Sequence, residues 1–233
     1  MINLTVVKNI ITTAALTGLL AGILLTVIQQ INVIPTLFEA ESYEQSAQAI
    51  PANTLTEASH AHTENLDEWQ PENGIERTLF TGFTNICLAF SFALLLGAAM
   101  HVYGKSSNWR SGLLWGLAGY AVFVVAPSLG LPPELPGTEA AALNVRQLWW
   151  LMTVLTTATG LSLLVFVNNR FLKLLGGAIL VVPHLIGAPQ PEVHNSLAPS
   201  DLIHSFIYAT VIANAVFWLS LGGLQGHFSK KLT

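Results

Sequence analysis

Long apolar segments constrain this chain more than any other feature of its sequence. A helix that crosses a bilayer needs roughly 20 predominantly apolar residues. Six segments approach or exceed that length, over residues 10–34, 79–103, 112–130, 148–167, 171–187 and 202–224. Only 9% of the 233 residues are charged, against about 25% in soluble domains. We therefore predict an all-α integral membrane protein, a single domain over residues 1–233 with a bundle of about six transmembrane helices.

Two of these segments allow another interpretation. The segment over residues 171–187 is short and contains Pro183, so five spans remain an alternative. The first segment follows Lys8 as a signal peptide would, but its apolar run is longer than the roughly 7–15 residues of a signal sequence. We expect it to be a retained membrane anchor.

The charged residues are segregated between the loops. Short loops rich in Lys and Arg stay in the cytoplasm. With six spans, one side holds Lys8, Lys105, Arg110, Arg170, Lys173, Lys230 and Lys231. All 13 acidic residues fall in the opposite loops, together with Arg77 and Arg146. This pattern predicts that both termini are cytoplasmic, and we expect the two arginines to form ion pairs with the surrounding carboxylates.

The loop over residues 36–78 is predicted to be extracytoplasmic, acidic and histidine-containing. Glu41 and Glu44 share one face if this region is helical, and His60 and His62 point to the same side if theirs is extended. Imidazole suits transition metals and carboxylates favour harder ions, so a mixed site fits Co²⁺, Ni²⁺ or Zn²⁺. The alternative is a solvated acidic loop with two incidental histidines.

His184 stands inside the fifth apolar segment, directly after Pro183. Ionisable groups within spans are costly and usually face a helix bundle or an aqueous cavity. A proline removes a backbone donor, which leaves a carbonyl oxygen free near the imidazole. We predict a metal site at His184, with a hydrogen-bonded histidine in a helix interface as the alternative.

Three further candidate metal ligands lie on the predicted extracytoplasmic side of the membrane. The proline-rich turn over residues 130–137 holds Glu134 in a nearly fixed place at the outer mouth. His194 precedes the sixth segment and His204 lies in its first turns. Asp201 shares a helix face with His204, although it is equally suited to cap the helix N-terminus.

Several classes of function lack their sequence signals. The chain contains no zinc-protease motif, no nucleophile elbow and no complete phosphate-binding loop. Its single cysteine, Cys87, allows no internal disulfide and no thiolate cluster. We expect no enzymatic activity, no intrinsic cofactor and no nucleic-acid partner.

The chain resembles the CbtA family of bacterial cobalt transporter subunits over nearly its whole length. The resemblance rests on residues 130–137 (GLPPELPG), 146–150 (RQLWW) and 183–189 (PHLIGAP), with 41–44, 60–62, Trp69 and 76–78 in the same order. It implies a multi-pass protein of the bacterial inner membrane that transports Co²⁺. Ni²⁺ and Zn²⁺ remain possible as the transported ion. It also implies a small single-span partner subunit that carries histidines. Family members are often described with five spans.

Three hypotheses for function follow. The first is the membrane subunit of a metal uptake transporter, and the second is a scaffold that conducts nothing. The third is a membrane redox protein with histidine-ligated haem. Small-xxx-small glycine pairs let helices approach closely and predict contacts with a partner or a second copy; they are Gly18/Gly22, Gly112/Gly116 and Gly222/Gly226.

Overall fold

The computed structural model describes residues 4–48, 71–104, 108–193 and 195–232. These residues form seven helices and no strand. The helices are α1 (Leu4–Asn32), α2 (Ile34–Gln48), α3 (Ile75–Tyr103), α4 (Trp109–Ser128), α5 (Leu143–Phe166), α6 (Arg170–Ile186) and α7 (Ser200–Leu232). One turn of α4, Ala121–Val125, is a π-helix. The prediction of an all-helical fold is confirmed.

Five of the helices are long and apolar enough to cross a membrane, namely α1, α3, α4, α5 and α7. Helix α6 is the fifth predicted segment and has 17 residues. At about 1.5 Å per residue it extends roughly 25 Å, less than the roughly 30 Å of a bilayer's hydrocarbon core. Pro183 does not end it, because the helix continues to Ile186.

Helices α1 and α3 pack antiparallel through glycines. A Cβ on Gly18 would lie 2.6 Å from the Cα atom of Phe90, and one on Gly22 would lie 2.6 Å from that of Ile86. Real Cβ atoms do not approach other atoms so closely, so the two backbones meet at a distance that only glycine permits.

Helices α4 and α7 also pack closely through glycines. A Cβ on Gly112 would lie 2.2 Å from the carbonyl oxygen of Gly222, and one on Gly116 would lie 2.3 Å from that of Trp218. Gly226 is buried against Asn108 and Gly112 in the same interface. The predicted role of the glycine pairs in binding a second copy is therefore corrected: α1–α3 and α4–α7 bury all three pairs inside the chain.

Helix α7 also packs along α1, which joins the two pairs into a bundle of four helices, α1, α3, α4 and α7. Phe217, Trp218 and Leu221 of α7 are almost fully buried in its core. They meet small residues of the other helices, including Ala14 of α1 and Ala93 of α3. Large side chains from one helix thus fill the space that small residues leave on the others.

Helices α5 and α6 form an antiparallel hairpin beside this bundle. A Cβ on Gly160 would lie 2.6 Å from the carbonyl oxygen of Gly176. The hairpin meets the bundle mainly at the π turn of α4 and the residues after it. Aromatic rings add to this contact at both ends; the pairs are Phe123–Trp150, Trp115–Phe166 and Tyr103–Phe166.

The two ends of the molecule differ in the segments they contain. Ile10, Gly97 and Gln225 lie at one level, so the first turns of α1 and the last turns of α7 share an end. At the other end, α2 buries Ala40 in a cluster with Leu135 and Leu202. The loops before α5 and before α7 pair there through Thr138 and Ser196, among other contacts. The first part of the predicted loop over residues 36–78 is therefore helical.

Candidate functional site

All the described carboxylates lie at one end of the molecule, which we call the acidic end. It comprises Glu39, Glu41, Glu44, Glu72, Glu76, Glu134, Glu139, Glu192 and Asp201. Four further acids, Glu57, Glu64, Asp67 and Glu68, lie outside the described residues. The described basic residues other than Arg77 and Arg146 lie at or toward the opposite end; they are Lys8, Arg110, Arg170, Lys173, Lys230 and Lys231.

Glu41 of α2 is held by Arg77 of α3. The guanidinium donates from both terminal nitrogens, Nη2 to Oε1 at 2.6 Å and Nη1 to Oε2 at 3.2 Å. Arg77 also donates to Asn73 at 2.8 Å and lies 5.0 Å from the centroid of the Phe38 ring. The ion pair predicted for Arg77 is confirmed. A carboxylate bound in this bidentate way is largely occupied, which weakens Glu41 as a metal ligand.

Glu134 is held by Arg146, which donates from Nη2 to Oε2 at 2.5 Å. The following residue, Leu135, is 3% exposed and anchors the proline-rich turn in the core of the acidic end. The ion pair predicted for Arg146 is thus confirmed as well. The hydrogen bond from Arg146 goes to Oε2 of Glu134, and Oε1 accepts no hydrogen bond among the described residues.

His184 is half-buried near the C-terminus of α6 and lies edge-on to Trp149 of α5, with ring centroids 6.1 Å apart. The Trp149 indole donates to the carbonyl oxygen of Pro183 at 3.3 Å, and the amide of Gly187 donates to the same oxygen at 3.2 Å. Trp149 also fills the space above Gly130 and is 8% exposed. The tryptophan therefore positions the turn of helix that carries His184.

The predicted ligands are not gathered into one site among the described residues. Glu44 is half-buried on α2, and His204 is exposed on α7. His60, His62 and His194 lie outside the described residues. No group of three His, Cys, Asp or Glu side chains in the described part is arranged to hold a metal ion.

Sequence reasoning missed the buried polar residues of the bundle. Asn85 of α3 is 6% exposed and Gln225 of α7 is 0% exposed. An amide within an apolar span was a readable signal for Asn85, since such groups need partners in a membrane. Gln225 lies just beyond the predicted end of the sixth segment, so nothing marked it as buried.

A bundle of long apolar helices with acids at one end and bases at the other defines a multi-pass membrane protein. The CbtA family model, described as "Probable cobalt transporter subunit (CbtA)", matches residues 7–230. The chain therefore belongs to the CbtA family, as the resemblance indicated. Searches of curated proteins and of solved structures found no match to it.

Proposed function

We propose that this protein is the membrane subunit of a cobalt uptake transporter and that its acidic end collects the cation. The observation that carries the proposal is the confinement of every described carboxylate to that end. Its two arginines are already paired with Glu41 and Glu134, so the other acids keep their negative potential. A surface of one sign concentrates ions of the other and raises their rate of binding.

The charge pattern also supports an orientation. Lys and Arg residues beside spans mark the cytoplasmic side, and here they surround the termini and the short α5–α6 connection. We place both termini in the cytoplasm and the acidic end outside, in the inner membrane of a bacterium. Uptake would then begin at the acidic end.

The proposed ligands combine imidazole and carboxylate, a set that suits Co²⁺ and also Ni²⁺ and Zn²⁺. Among the described residues we favour His184, Glu44 and the Oε1 atom of Glu134, with Glu41 and His204 as weaker candidates. His60, His62 and His194 belong to the same proposal. A small single-span partner with its own histidines would complete the ligand set, in keeping with the family's description as a subunit.

Cobalt uptake into vesicles that contain the protein and its partner tests this function. We expect His184→Ala to lower uptake at least tenfold at a cobalt concentration well below saturation. His227→Ala is the matched control, because His227 lies near the end of α7 opposite the acidic end; it should transport like the wild type. Wild-type vesicles no faster than empty ones would overturn the proposal, and equal uptake by His184→Ala would remove this histidine from the site.

A non-conducting accessory subunit is the second candidate function. It is favoured by the lack of a three-ligand group among the residues that the structure describes. Vesicles with the partner alone separate the two ideas. If the partner alone takes up cobalt at the full rate, this chain is an accessory; if uptake requires both chains, it belongs to the transport route.

A further inference from the structure

Three polar side chains of the four-helix bundle have buried atoms without hydrogen-bond partners; they are Gln225, Thr17 and Thr210, of which Thr210 is only half-buried as a residue. Gln225 is 0% exposed, and neither its Nε2 nor its Oε1 atom is paired. Thr17 is also 0% exposed, with an unpaired Oγ1 atom. An unpaired buried amide or hydroxyl destabilises a protein, because apolar surroundings offer no hydrogen bond in place of those with water. A buried polar group without a partner in a native structure needs an explanation, such as an ion or a water molecule that binds to it.

The Gln225 amide occupies the space left by the absence of a side chain at Gly97. Its Nε2 atom lies 2.5 Å from the position that a Cβ on Gly97 would take, and the Cγ2 atom of Ile10 lies 3.4 Å from the same position. Any larger residue at position 97 would displace the amide. Gln225 therefore lies between α1 and α3, deep in the bundle and away from the surrounding lipid.

Further polar groups continue from this point along α1. Thr13 is one turn beyond Ile10 and is 2% exposed, and Thr17 follows one turn later. Successive turns separate these residues by about 6 Å along the helix axis. Gln225 lies level with Ile10, and Thr13 and Thr17 are buried on the next two turns of α1; we call these three polar residues the polar file. Ala21 and Leu25 of α1 and Ala89 of α3 are buried beyond it and separate it from the acidic end.

Asn85 shows that unpaired amides are not general in this bundle. Its Nδ2 atom donates to Thr26 Oγ1 at 3.1 Å and to Gln29 Oε1 at 2.7 Å. This buried amide of α3 is tied to α1 and has a clear structural role. Gln225, equally buried and on a neighbouring helix, lacks such bonds.

We propose that the polar file is a binding site for a divalent cation in transit through the bundle. This inference rests on the proposed transport function and deepens it. Gln225 Oε1 and the threonine hydroxyls would replace part of the hydration shell of the ion, and a water molecule of its outer shell would accept from Nε2. Neutral oxygens bind a cation less strongly than carboxylates do, so the ion can leave again, as conduction requires.

The test separates this role from a structural one by combining stability with transport. Gln225→Met keeps the length of the side chain and removes its polar atoms. If the amide is unpaired in the resting protein, its removal should raise the melting temperature in detergent by about 2–4 °C, the shift for roughly 1 kcal/mol in a chain of this size. Cobalt uptake with the partner should fall at least tenfold. Thr17→Val should change both quantities in the same directions by smaller amounts.

Two controls are matched to these variants. Asn85→Leu removes a paired amide and should lower the melting temperature. Thr157→Val removes a buried, unpaired hydroxyl from the α5–α6 hairpin, away from the polar file, and should leave cobalt uptake unchanged. A lower melting temperature for both Gln225→Met and Thr17→Val, or wild-type uptake by both, would overturn the inference.

Cobalt-dependent stabilisation in detergent provides a readout that needs no transport. Co²⁺ should raise the melting temperature of the wild type more than that of Gln225→Met or Thr17→Val. Equal cobalt-induced shifts would refute the polar file as a binding site, even if vesicles transport cobalt. Unequal shifts without any uptake by the wild type would instead support the site and overturn the transport function.

Discussion

The four-helix bundle and the α5–α6 hairpin are built on the same contact but are integrated to different degrees. In both, glycines bring antiparallel backbones together, through Gly112 and Gly222 in the bundle and through Gly160 and Gly176 in the hairpin. Each bundle helix has two or more neighbours, whereas α6 packs mainly on α5. A glycine contact therefore fixes which helices pair, whereas the number of neighbouring helices determines how much of the fold's stability depends on that pair.

Aromatic side chains strengthen the contact between the two regions at the π turn of α4. Phe123 of α4 stacks on Trp218 inside the bundle, with centroids 5.4 Å apart, and meets Trp150 of the hairpin at 6.3 Å. Aromatic contacts of this kind add about 0.5–1.5 kcal/mol each beyond their buried area. The hairpin should therefore loosen before the bundle does.

The largest effect is expected from Gly222→Ala in the bundle. Its methyl group would lie 2.3 Å from the carbonyl oxygen of Gly112 and 2.6 Å from the backbone of Gly116, so α4 and α7 would have to separate. Overpacking costs about 1–3 kcal/mol and occasionally more, and we expect at least the upper figure because both neighbours are backbone. Thermal unfolding in detergent should show one transition, shifted strongly downward. A wild-type transition would mean that the two helices do not touch here.

The next effect is expected from Gly160→Ala in the hairpin. Its methyl group would lie 2.6 Å from the Gly176 carbonyl oxygen, a clash similar to that at Gly222, so the intrinsic cost is about 1–3 kcal/mol. Hydrogen exchange should become faster in α5 and α6 and stay unchanged in α1 and α3. Faster exchange throughout the chain would show that hairpin and bundle unfold together, which contradicts their separation.

The lengths of the apolar segments predicted most of the fold. Five of the six segments became helices long enough to span a bilayer, because twenty apolar residues in succession have few other stable states. The fifth segment was ambiguous for a physical reason: α6 has 17 residues, which is shorter than a bilayer, and its partner helix α5 has 24. Glycine spacing predicted close contacts but not their partners, since Gly18 pairs with Phe90 across a long stretch of sequence.

Charge predicted part of the candidate site. Arginines surrounded by carboxylates were expected to form ion pairs, but the pairing of Arg77 with Glu41 depends on where α2 lies relative to the first turn of α3. The two tryptophans of residues 146–150 differ in their surroundings: Trp149 turns inward beneath Pro183, while Trp150 is 38% exposed. Tertiary packing decides which of two adjacent tryptophans faces the core, and no local pattern carries that information.

A smaller effect should follow from removing one arginine in each region. Arg146→Gln leaves Glu134 without its partner at the start of the hairpin, and Arg77→Gln does the same to Glu41 beside the bundle. Each pair is about one quarter exposed, and pairs near the surface contribute about 0.2–1 kcal/mol.

Arg77→Gln should have the greater effect on the melting temperature, because Arg77 also bonds Asn73 and contacts the Phe38 ring. A greater loss for Arg146→Gln would show that the hairpin's attachment depends on its ion pair more than on its aromatic contacts.

The smallest effect in this comparison, and a stabilising one, is expected from Gly177→Ala. This residue neighbours Gly176 on α6, yet no atom lies within 4 Å of where its Cβ would be, beyond the helix itself. Glycine within a helix is about 1 kcal/mol less favourable than alanine in water, so the substitution should stabilise α6 by up to that amount. Slower hydrogen exchange confined to α6, with the melting temperature almost unchanged, would show that the hairpin opens independently of the bundle. If exchange in α6 instead becomes faster, another surface packs against Gly177 in the assembled transporter or in the bilayer, and the hairpin is less peripheral than its contacts within this chain indicate.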